Sequence, residues 1–100
     1  MWAVVEENSF ERSAAQLGGL KWVDRALAPV MLALEGNPLV FPVVPGTNGI
    51  RIARTLLVIN ELELIPSLRV WFRASEPNRT VYMLYVELAP PEDMGIGESI

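Results

Sequence analysis

The chain reads as one α+β domain, with a helical first third and a strand-rich second half. Three observations predict this class. Apolar residues recur at helical spacing between residues 10 and 34. From residue 39 onward, β-branched and aromatic runs replace that pattern, and residues 68–74 alternate strictly. Finally, 100 residues that are 51% hydrophobic suffice for one packed core and not for two.

The elements follow in order. Residues 2–5, Trp-Ala-Val-Val, form a short apolar run that predicts a strand. Asn8 and Glu11 have the spacing of a capping box, which predicts a helix start with Asn8 as N-cap. Phe10, Ala14 and Leu17 share one face of that helix, and Gly18-Gly19 ends it. A second helix is expected over residues 20–34, with Val23, Leu27, Val30 and Leu34 as its apolar stripe and Trp22, Ala26 and Ala33 beside it. Pro29 sits inside this pattern and predicts a kink or a restart. Gly36 followed by Asn37-Pro38 stops the helix, so the two helices form a hairpin.

Residues 39–44 predict an edge strand, interrupted by Pro42. Residues 45–49 are a turn cluster. A strand is expected over residues 50–59, with Ile50, Ile52 and Leu56 on one side and Arg51, Ala53 and Thr55 on the other. Residues 60–67 form a connection. Leu68, Val70 and Phe72 alternate with Arg69, Trp71 and Arg73 in the next strand. Residues 76–79 predict a hairpin turn, and residues 80–88 a last strand. The domain is expected to span residues 1–90, and residues 91–100 to be an acidic, frayed tail.

Composition narrows the chemistry. The absence of cysteine excludes disulfides and thiolate metal sites, and no cofactor or metal is expected. The absence of histidine removes the commonest general base. No apolar stretch reaches membrane-spanning length, and residues 1–7 lack the basic region of a signal peptide, so a cytoplasmic location without a membrane partner is expected. The formal net charge is −4, yet between Gly46 and Tyr85 five arginines stand against three glutamates. Such an arginine set suits planar recognition of phosphate or carboxylate.

Alternation then predicts a site. A helical hairpin covering one face of an antiparallel sheet leaves the other face open. If Val70 and Phe72 are buried, Arg69, Trp71 and Arg73 project from the open face. On the last strand Leu84 and Val86 would be buried, placing Met83, Tyr85 and Glu87 on that face. Arg51 or Arg54 would join according to register. The same face also reads as a solvated surface, with cross-strand pairs of Arg69 or Arg73 with Glu87.

The β-α-α-β-β-β(-β) order over residues 2–88 resembles the RelE/ParE superfamily, the toxin halves of type II toxin–antitoxin pairs. The resemblance is carried by Asn8-Ser9-Phe10-Glu11-Arg12 opening the first helix and by residues 32–38 closing the second in Asn-Pro. It continues through Gly49-Ile50-Arg51-Ile52-Ala53-Arg54, Ser67-Leu68-Arg69-Val70-Trp71-Phe72 and the last strand. It implies an antiparallel-dominated sheet with the helical hairpin on one face. It further implies a cognate antitoxin as partner and, for ribosome-dependent members, mRNA on the ribosome as substrate. Arg54, Arg69, Arg73 and Tyr85 would then be catalytic, with Arg51 and Trp71 binding substrate.

Three functions compete. An mRNA endoribonuclease would use the arginines to stabilise a transferring phosphoryl group. A ParE-like or degenerate toxin would act by binding protein, which the missing histidine, the single Lys21 and the acidic balance favour. A small structural or interaction module would use Trp71 as a contact surface.

Overall fold

The strictly alternating and helical-period segments become strands and helices in a computed structural model of the chain, which describes residues 1–18, 20–55, 58–59 and 64–90. The elements are β1 (Ala3–Glu6), α1 (Asn8–Gln16), α2 (Leu20–Gly36), a 3-10 turn (Pro38–Val40), β2 (Ile50–Arg54), β3 (Val58–Ile59), β4 (Leu64–Ile65), β5 (Leu68–Ser75) and β6 (Thr80–Leu88). Four strands form a mixed sheet in the order β1-β6-β5-β2. β1 runs parallel to β6, and the other pairs are antiparallel. β3 and β4 pair as a separate two-stranded sheet. The described residues therefore form an α+β protein with two helices and a mixed four-stranded sheet.

One sheet face is buried beneath the helices. Phe10 of α1 and the stripe Val23, Leu27, Val30 and Leu34 of α2 pack with Leu68, Val70, Phe72, Val81, Met83 and Val86 in one apolar cluster. Each such side chain contributes about 1.5–3 kcal/mol by leaving water. Phe41 meets Phe72 edge-on, with ring centroids 5.8 Å apart. Trp2 precedes β1 and is buried, its backbone N–H donating to the Glu35 carbonyl at 2.9 Å. Arg79, in the turn between β5 and β6, places its guanidinium over the Trp2 ring at 5.1 Å. That contact accompanies an unusual left-handed backbone at Arg79, φ 48°.

Several local expectations are corrected. Glu7, not Asn8, is the N-cap of α1, and no side chain caps it. α2 runs through Pro29 without a restart. Proline is tolerated there because it lies on the exposed side of the helix, where water can reach the carbonyl one turn back. Residues 39–44 are not a strand. Asn37 Oδ1 accepts the Leu39 N–H at 3.1 Å and closes the 3-10 turn, leaving only an isolated bridge between Val43 and Arg51. The strand expected over residues 50–59 stops at Arg54. Leu56 and the tail, residues 91–100, lie outside the described residues.

The largest correction is on β6. Trp71 pairs with Tyr85 but Phe72 pairs with Met83, so Leu84 is an extra residue in a β-bulge. Met83 is consequently buried and Leu84 only half-buried, the reverse of the simple alternation. Beyond the bulge the phase is shifted by one. Val86 turns inward, and Tyr85 and Glu87 turn to the open face. Without the extra residue, Tyr85 and Glu87 would share the buried face with Met83.

α1 secures the shifted part of β6. β1 ends at Glu6, and its ladder closes with the Glu7 N–H donating to the Met83 carbonyl at 3.0 Å. Beyond that point two serines one helical turn apart take over. The Ser9 hydroxyl donates to the Leu84 carbonyl at 2.6 Å, and the Ser13 hydroxyl accepts the Val86 N–H at 3.0 Å.

Candidate functional site

The open sheet face is built in three rows across β2, β5 and β6. Register places Arg54 opposite Arg69 and Arg69 opposite Glu87 in the first row. Ile52, Trp71 and Tyr85 form the second, and Ile50, Arg73 and Tyr82 the third. Val5 of β1 extends the third row beside Tyr82. An aliphatic–aromatic band thus lies between two rows that carry arginine.

Glu87 organises this face. Its Oε2 accepts hydrogen bonds from Arg69 Nε and from Trp71 Nε1, both at 2.8 Å. Arg69 Nη2 lies 2.7 Å from the same oxygen. The Arg69 guanidinium also sits over the Trp71 ring, 5.3 Å from its centroid. The indole is therefore held in place from its N–H edge and from one face. Arg69 and Glu87 are both half-buried, a setting in which a charge-assisted pair is worth more than an exposed ion pair. Tyr85 and Arg73 stand exposed beside the indole.

The residues singled out by sequence do not all converge. Arg54, Arg69, Trp71, Arg73 and Tyr85 share the open face. Arg51 does not, because its register partner is the buried Phe72. Its Nη1 donates to the carbonyls of Leu39 at 3.2 Å and Phe41 at 2.6 Å. Arg51 thereby ties the irregular segment after α2 to the sheet, on the face opposite Trp71. The residue whose centrality the sequence alone does not show is Glu87. The alternation and its pairing with Arg69 were readable, but the Trp71 N–H bond was not, because it depends on the bulge.

The chemistry of the face is limited. One bidentate edge of Arg69, Nε with Nη2, is already occupied by a carboxylate. Arginine stays protonated and cannot remove a proton. Of the remaining groups only Tyr82, Tyr85 and Glu87 could take part in proton transfer, and Oε2 of Glu87 already receives its donors.

A second concavity lies on the helix side of the sheet. It is a mainly apolar cleft of about 270 Å³ between α2 and the ends of β2 and β4, lined by Pro29, Ala33, Phe41, Thr55 and Ile65 among others. Arg25 and Arg54 also line it. Where β2 and β5 part near the cleft, hydroxyl groups hold the junction. The Leu68 N–H donates to Thr55 Oγ1 at 2.7 Å, and Ser67 Oγ donates to the Thr55 carbonyl at 2.6 Å.

Among the described residues no helix is long and apolar enough to cross a membrane. No group of three or more candidate metal ligands occurs among them either. A scan of the chain against protein-family models finds no match, and no curated protein matches it significantly.

Proposed function

We propose that this chain is a toxin-fold module of the RelE/ParE type that acts by binding a protein, with a small antitoxin as its cognate partner. The observation that carries the reading is the Glu87 carboxylate on Arg69 and Trp71. Cutting mRNA would require an arginine edge open to phosphate and an acid–base pair beside it. On Arg69, Glu87 puts the protein's own anion on one such edge. It also fixes the indole as a flat plate, the kind of rigid aromatic anchor that dominates protein interfaces.

Charge supports a protein partner of defined chemistry. The chain as a whole is acidic, at −4, whereas the three rows of the face, among the described residues, carry Arg54, Arg69 and Arg73 together with Glu87. A partner segment with an apolar stripe over Ile52, Trp71 and Tyr85, flanked by carboxylates, complements it. Inducible expression in a bacterial host tests the reading. Growth arrest is expected from the natural chain, and is expected to be lost with Trp71→Ala or Arg73→Glu while circular dichroism shows the fold retained. Unimpaired growth on induction of the folded natural chain would contradict it.

A further inference from the structure

We infer that the cleft between α2 and the ends of β2 and β4 is a docking site for the chain's own acidic segment, residues 91–100. The inference stands independently of the sheet-face function.

The tether point comes first. β6 ends at Leu88, and the next residue, Ala89, is buried and donates its N–H to the Ser67 carbonyl at 2.9 Å. Ser67 is in turn bonded to Thr55, which lines the cleft together with Ile65. The chain is thus delivered to the rim of the cleft, one residue before Pro90. Ten residues span up to about 36 Å when extended, and the tether at Ala89 and Ser67 adjoins Thr55, which lines the cleft. The cleft lies well within reach.

Chemical complementarity comes second. Residues 91–100 interleave Met94, Ile96 and Ile100 with Glu92, Asp93 and Glu98, and carry no basic residue. The cleft is mainly apolar, with Arg25 of α2 in its lining. At about 270 Å³ it falls below the roughly 300–1,000 Å³ of drug-sized ligand pockets and suits a few side chains. The neighbouring surface of α2 completes the fit. From Ala26 to Leu34 the helix has no charged residue, and Ala28, Pro29, Leu32 and Ala33 are exposed. A helix that is apolar on its solvent side as well as its core side has a second surface to cover.

The natural absence of cysteine permits a direct test on the full chain. A nitroxide attached through Ser99→Cys broadens NMR signals of nearby amides. Docking is expected to remove most of the Ala26, Val30 and Ala33 amide intensity, and Arg25→Glu in the labelled chain is expected to restore much of it. A sample mixing labelled, NMR-silent chains with unlabelled, isotope-enriched chains is expected to show no such loss. Broadening of the α2 amides no stronger than the average over the protein would overturn the inference. So would broadening that appears in the mixed sample, which would mean that a second copy occupies the cleft. Unchanged broadening in a folded Arg25→Glu chain would overturn the electrostatic part of the fit.

Discussion

The buried hydroxyl of Ser13 accepts the backbone N–H of Val86 at 3.0 Å, so a helix side chain continues the sheet's hydrogen-bonding edge where β1 has run out. The bond fixes the strand immediately after the bulge, where the phase shift brings Tyr85 and Glu87 to the open face.

Ser13→Ala is expected to destabilise the protein by about 1–3 kcal/mol, because it strands a buried N–H. Ser9→Ala should cost less, since the Leu84 carbonyl it serves is in an exposed contact that water can replace. Denaturant titration of the two variants distinguishes them, and equal costs would show that the ladder is not what anchors α1.

Thr55→Val keeps the shape of the side chain but removes the acceptor for the Leu68 N–H. Its expected cost is also about 1–3 kcal/mol. Hydrogen exchange at the Leu68 amide should accelerate strongly, while exchange at the central β5 amides follows only the change in global stability.

Arg51→Gln separates a structural arginine from a functional one. Loss of the bonds to Leu39 and Phe41 should lower stability by about 2 kcal/mol, within the range for hydrogen bonds to a charged group. Partner binding, measured at a temperature where the variant is folded, should be unchanged. A selective loss of binding would place Arg51 in the site after all.

Pro29→Ala restores a helical N–H in the middle of α2 and should raise the melting temperature. A gain of even 1 kcal/mol corresponds to roughly 4–8 °C for a domain of this size. No gain would mean that the helix has adapted fully to the proline.

Much of the fold was legible because its periodicities are regular. The stripe Val23, Leu27, Val30 and Leu34 and the alternation of Leu68, Val70 and Phe72 against Arg69, Trp71 and Arg73 both appear in the structure as read. Met83 and Leu84 were misplaced because a single inserted residue leaves no compositional mark on a uniformly apolar strand. Residues 39–44 have β-branched composition, yet the Asn37 cap and Pro38 commit the chain to a turn first. Alternation places Arg51 and Arg54, three residues apart on one strand, on opposite faces without saying which face is which. Only the pairing of β2 with β5 sends one to the Leu39 and Phe41 carbonyls and the other to the row of Arg69. The site's residues were therefore readable from alternation, whereas their hub, one carboxylate oxygen serving Arg69 and Trp71, required the three-dimensional register.

The central claim is that the Arg69–Trp71–Glu87 face binds protein and does not cut RNA. Mapping the 5′ ends of cellular mRNA after induction tests it most directly. Growth arrest by the natural chain with no new mRNA ends is the expected result. New mRNA ends that appear on induction of the natural chain and vanish with Arg69→Ala would contradict it.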